Sequence, residues 1–127
     1  MKEKKVVFAV IKKDNKILSM VRGHGEYKGY YEFPGGKIEE NETNEEALKR
    51  EIKEELNASI EVLKLIDIIE YDYPNFHLKM YAYLCELTSS FTLNEHLSYV
   101  WQDINELDNL NWLKADINLI NKIKENF

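Results

Sequence analysis

Cysteine is nearly absent. Cys85 is the only one in 127 residues, which excludes an internal disulfide framework and a cysteine-based zinc site. No run reaches the ~18 consecutive apolar residues needed to cross a bilayer. The start, Met1-Lys2-Glu3-Lys4-Lys5 followed by Val6 to Ile11, has a faint signal-peptide outline. Its apolar run breaks at Lys12-Lys13 without a small-residue cleavage site, so it reads as a strand and the protein as cytoplasmic, with no membrane partner. A positive excess is missing too, since 17 Lys and Arg stand against 23 Asp and Glu, a net charge of −6. Duplex binding draws its affinity from Lys and Arg neutralising phosphates, so a general duplex nucleic-acid binder is excluded. An acidic protein can still hold a nucleotide if divalent cations lie between the two sets of negative charge. Repeats, linkers and low-complexity segments are also lacking.

What is present suffices for one core. The composition is 44% hydrophobic, 12% aromatic and 31% charged, which suits a single folded domain over 1–127. Val6 to Ile11 is β-branched and continuous, the pattern of a strand buried on both faces. Asp14-Asn15 predicts a turn into a second strand, Ile17 to Val21. Gly23 to Gly29 reads as a loop, and Tyr30 to Phe33 as a short strand stopped by Pro34-Gly35-Gly36. Thr43 with Glu46 three residues on predicts a capping box. Leu48, Ile52 and Leu56 then supply the buried stripe of a helix, and Asn57 suits its left-handed end. Ile60 to Tyr73 and Phe76 to Leu87 are β-rich around a Pro74-Asn75 turn. Ile117, Ile120 and Ile123 mark a closing helix to Phe127. The fold class is α+β.

The chemistry concentrates in the capped helix. Arg50-Glu51-Ile52-Lys53-Glu54-Glu55 puts three carboxylates on one helical face, where like charges repel. This is either a solvated acidic face or a site for a hard divalent cation. The context before it, Gly35-Gly36-Lys37 and the further acid Glu42, favours the second reading. Gly36, five residues, Glu42, seven residues and Arg50-Glu51-Ile52-Lys53-Glu54-Glu55 together resemble the Nudix box, spanning 36–58. The match departs at Asn57, where the family has glycine, and at Ala58, where a larger aliphatic is usual. Asparagine takes the same backbone conformation, so little damage is expected there. Tyr31 to Glu39, Tyr71-Asp72-Tyr73-Pro74 with His77, Glu95-His96, Trp101 and Leu110 to Asp116 are similar to MutT-type members.

The resemblance implies an α/β/α sandwich with a central mixed β-sheet. It also implies a Mg²⁺-dependent enzyme, Mn²⁺ being an alternative ion, that cleaves a nucleoside triphosphate to a monophosphate and pyrophosphate. The implied role is removal of oxidised or modified nucleotides. Other nucleoside diphosphate derivatives (nucleotide sugars, capped RNA ends) and a non-catalytic nucleotide-sensing module are the competing readings. The implied catalytic set is Glu51, Glu54, Glu55 and Arg50, with Arg50 fixing the carboxylate rotamers and Glu42 supporting it. The metal would be held by Glu51, Glu54, Glu55, the Gly35 carbonyl and Glu95 from a remote loop, although a surface glutamate is the competing reading of Glu95. Which acid acts as base stays open, as does the choice between monomer and homodimer. Arg22, Phe33, Lys37 and Asp116 are the expected substrate contacts. Lys37 is otherwise a solvated lysine, and Asp116, if not facing the base, caps the closing helix. Tyr31 could also stack on a base. His24 and His96 are expected at the surface, His77 packed on its strand, and Trp101 and Trp112 in the core.

Overall fold

The apolar run at the start forms the middle of a longer strand, β1 (Lys2–Lys13). The computed structural model describes residues 2–127, and Met1, the first residue of the expected domain, lies outside them. Val7, Ala9 and Ile11 enter one core cluster while Val10, with half-buried Val6 and Phe8, enters the other. Both faces of β1 are therefore covered, as its continuous hydrophobicity requires. Along one edge β1 runs parallel to β6 (Phe76–Leu87), from Lys2 opposite Phe76 to Ile11 opposite Cys85. Its other edge pairs with β4 (Gly35–Lys37) and then, through the Asp14-Asn15 turn, with β2 (Lys16–Val21). β5 (Ile60–Asp72) lies antiparallel to β6, with register shifts at Val62/Lys64 and Leu65/Asp67. β2 carries β3 (Tyr31–Glu32) and β7 (Ser98–Asp103), both antiparallel to it.

Helix α1 (Asn44–Leu56) covers one face through Ala47, Leu48, Ile52 and Leu56. Helix α2 (Ile117–Asn126) covers the other through Leu119, Ile120 and Ile123. A mixed central sheet between helices is the α+β sandwich expected. The Thr43 hydroxyl accepts the Glu46 N–H at 3.1 Å, and the Glu46 carboxylate accepts the Thr43 N–H at 2.8 Å. Asn57 ends the helix at φ 49°, ψ 43°. No helix among the described residues is long and apolar enough to cross a membrane.

Two local expectations are corrected. Pro34-Gly35-Gly36 does not simply stop a strand, because Gly35–Lys37 pairs with Val6–Phe8. Gly35 is needed there for close approach: a Cβ would lie 2.1 Å from the Val7 carbonyl oxygen. Asp116 does stand at the entrance of α2, but its side chain makes no capping bond. A 3-10 turn over Lys114–Asp116 leads into the helix, and Asp116 itself has helical backbone angles. Its own N–H already donates to the Leu113 carbonyl at 2.9 Å. The carboxyl is left free to face elsewhere.

Candidate active site

The end of β2, the β3–β4 stretch, α1, β6, and the loops around Glu95 and Asp116 converge on a cleft of about 300 Å³. The β3 backbone joins the last of these to the sheet. Tyr31 N–H donates to Asn111 at 2.8 Å and Leu113 N–H donates to Tyr31 at 3.0 Å, placing Leu113, Ala115 and Asp116 along one wall. The Glu95 loop is tied to the C-terminal end of α1, whose last carbonyls lack helical partners. Thr92 N–H bonds Leu56, Asn94 N–H bonds Glu55, and the Asn94 side-chain amide bonds Glu54, at 2.8–3.0 Å. A larger groove, about 1180 Å³, lies near Lys12, Lys13 and Ser89 to Leu93, and it contains none of the expected site residues.

The α1 carboxylates differ sharply from one another. Glu55 is 5% exposed, and its Oε2 accepts the Gly35 N–H at 3.2 Å. Burial, a hydrogen bond with Glu51 and the negative charge of Glu51, Glu95 and Glu32 raise its pKa well above the usual carboxylate range. Glu51 lies against Gly36, where a Cβ would come within 2.6–2.8 Å of its carboxyl group. Glu54 is exposed, does not line the cleft, and reaches Arg50 Nη1 at 3.5 Å. Arg50 binds Glu42 through two parallel bonds of 2.7 and 2.9 Å, Glu51 at 2.9 Å and the Lys37 carbonyl at 3.0 Å. The paired guanidinium holds the Glu42 carboxyl down at about 2, helped by the Glu39 N–H. Arg50 and Glu42 thus brace the box, as the sequence pattern implies.

The same cleft is lined by Arg22, Glu32 and Asp116. Arg22 Nη1 donates to Glu32 at 2.8 Å. Burial opposes ionisation of Glu32, but hydrogen bonds from His96 and Arg22 outweigh it and hold its pKa below the usual value. Asp116 is 2% exposed, with no hydrogen bond to its carboxyl, and burial together with the charge of Glu32 pushes its pKa up to about 8. The shift favours the protonated acid, which can donate as well as accept.

Other expected residues fall unevenly. Glu95 and the Gly35 backbone line the cleft, whereas the exposed Lys37 does not. Phe33 is 1% exposed and stacked on Trp112 at 4.6 Å, so it forms a wall of the cleft from within the core. Tyr31 is half-buried against the same tryptophan, and Trp101 packs at the edge of the core. His24 is exposed. His77 is held on its strand by Asp72 and Glu70. His96 is the clear miss: it is buried, and its Nε2 lies 2.9 Å from Glu32. Glu32 and Tyr73 were not singled out either. Glu32 had a readable signal, since the β2–β3 pairing sets it opposite Met20, within reach of Arg22.

The donor set fits a hard divalent ion. Glu51 and Glu55 line a cleft that Glu32, Glu95 and Asp116 also line, against one arginine. That excess of acid calls for a counter-charge. Among the described residues no three such side chains already converge on one ion-sized point, so the wider set would assemble only with side-chain rotation.

A mixed sheet between two helices, with a capped loop–helix bearing these acids, defines the Nudix hydrolases, and the chain belongs to that family: the NUDIX domain profile matches residues 2–123. Nudix hydrolases generally use a divalent metal. Among individual proteins, the chain is 34% identical over 104 residues to the 8-oxo-dGTP diphosphatase of Buchnera aphidicola subsp. Acyrthosiphon pisum, covering 80% of this chain and 84% of that one. It is 30% identical over 122 residues to the CTP pyrophosphohydrolase of Escherichia coli K12, covering 94% and 90%. A shorter match, 43% identical over 56 residues and 44% of this chain, spans half the length of the Proteus vulgaris 8-oxo-dGTP diphosphatase. The solution structure of MutT from methicillin-resistant Staphylococcus aureus 252 is similar over 100% of both chains, at 40% identity and a TM-score of 0.78.

Proposed function

We propose that this protein hydrolyses nucleoside triphosphates to monophosphate and pyrophosphate, and that it acts on oxidised or modified nucleotides of the cytoplasmic pool. The observation that carries the reading is the lining of the cleft. It brings Glu51 and Glu55 of α1, carboxylates suited to ions and phosphates, together with Asp116, Arg22 and apolar side chains.

Glu51, Glu55 and Glu54, with Glu95 and the Gly35 carbonyl, would hold Mg²⁺ or Mn²⁺. That ion would neutralise phosphate charge and lower the pKa of a bound water. Arg50 keeps Glu51 oriented by bonding it and Glu42 at once. The Gly35 N–H fixes Glu55 from the opposite side. Asp116, protonated at neutral pH, offers a base edge one donor and one acceptor, and the Phe33–Trp112 stack backs the wall beside it.

The direct test is pyrophosphate release with Mg²⁺ across CTP, GTP, 8-oxo-dGTP, 5-methyl-dCTP and ADP-ribose. Release of pyrophosphate from one or more triphosphates is expected. Cleavage of ADP-ribose alone would move the reading to nucleotide sugars. Tight binding with no cleavage of anything would make the protein a sensing module.

A further inference from the structure

None of the roles above uses His96, a loop residue that the fold has buried. Its single Nε2 faces two acids from different elements, Glu32 Oε2 of β3 at 2.9 Å and Glu55 Oε1 of α1 at 3.7 Å. Glu32 is bonded onward to Arg22, and Glu55 onward to the Gly35 N–H. His96 therefore sits between the Arg22–Glu32 pair and the Glu55–Gly35 pair. The loop bearing His96 is itself pinned. Asn94 is bonded to the end of α1, and Leu97 N–H donates to Val21 at 3.0 Å. Gly23 passes so close that a Cβ there would lie 2.3 Å from the Glu95 carbonyl oxygen.

A packing role does not account for this residue. His96 Nδ1 is buried without any partner, which is a net cost to folding. An apolar side chain in the same space would avoid that cost. What the imidazole supplies, and an apolar group cannot, is one N–H aimed between two carboxylates.

We propose that His96 is a positioning residue whose Nε2–H fixes the Glu32 and Glu55 carboxylates relative to one another, keeping β3 with its Arg22 partner in register with the metal-binding face of α1. This rests on the functional reading given above. Glutamine can place an amide N–H near the position of Nε2, whereas leucine fills the space without a donor.

The test compares His96→Leu and His96→Gln with the parent. It measures Mn²⁺ binding to the nucleotide-free protein by electron paramagnetic resonance, kcat and KM over the nucleotide panel, and Tm. Residues that orient metal ligands typically change metal affinity or activity about 10- to 100-fold when removed. The Leu variant should weaken Mn²⁺ binding by roughly that factor, lower kcat, and flatten the kcat/KM ratio between best and worst triphosphate. The Gln variant should recover most of each. If Mn²⁺ affinity and the nucleotide ratio stay at parental values while Tm alone falls, His96 is only a packed residue and the proposal is overturned. Equal losses in both variants overturn it too, because the shared donor would then be irrelevant. Should the Leu variant fail to fold, His96→Asn, whose shorter amide reaches neither carboxylate, takes its place with the same expectations. A parent inactive on every triphosphate would sink the functional reading, yet the Mn²⁺ measurement would still decide the role of His96.

Discussion

Asp116 shows how far burial alone can change what a residue says to a ligand. A carboxyl group with no hydrogen-bond partner, buried in a cleft that Leu113, Ala115 and Met80 also line, is driven toward its neutral form, with its pKa raised from 3.8 to about 8. Because the folded value lies above the unfolded one, the stability this group contributes is fully present below about pH 4 and is lost as pH rises to about 8. Asp116→Asn stays neutral throughout. The variant should match the parent near pH 4 and exceed it at pH 8 by an amount on the order of a few kcal/mol, read from thermal melts across that range. A gap that does not change with pH would mean the carboxyl is not buried as described. The same variant should reorder kcat/KM across the triphosphates, and an unchanged order would remove Asp116 from base recognition. In the same cleft, Glu55→Gln should cost several orders of magnitude in turnover while the circular dichroism spectrum stays native. Near-normal activity would exclude Glu55 as a metal ligand. Cys85 is expected to be inert to thiol reagents in the native state, since burial raises its thiol pKa to about 12.

The elements were legible wherever local chemistry determined them. Thr43, Glu46 and Asn57 act within a few residues of one another, so both ends of α1 could be read from their side chains. Thr43→Ala should lower stability by about 1 kcal/mol in a denaturant titration, the usual size of a lost N-cap. β4 was not legible, because glycine carries no strand preference and Gly35–Lys37 is extended only through its pairing with Val6–Phe8. The setting of Glu95 was hidden for a similar reason. Asn94 looks like any loop asparagine until its amide is seen on the Glu54 carbonyl, 40 residues away in sequence. Asn94→Ala should therefore raise the Mg²⁺ concentration for half-maximal activity with only a small loss of Tm. A large fall in Tm with unchanged Mg²⁺ dependence would make the contact purely structural. The contact between His96 and Glu32 spans 64 residues and belongs to no periodic pattern.

For the whole molecule, the acid-rich cleft lies within a chain of net charge −6, so bound cations should stabilise the native state more than the unfolded one. A Mg²⁺ titration should raise Tm in the parent and raise it less in Glu55→Gln. Equal shifts would locate the binding elsewhere. β1 carries a different consequence, one of timing. Its long parallel ladder joins Lys2–Ile11 to Phe76–Cys85, so β1 meets this neighbour only after the intervening segment has been translated. Until then the β1–β2 turn and α1 can form locally, but one edge of β1 stays unpaired. Long-range pairing of this kind is slow to close. For that interval the open edge is a template on which another chain could pair.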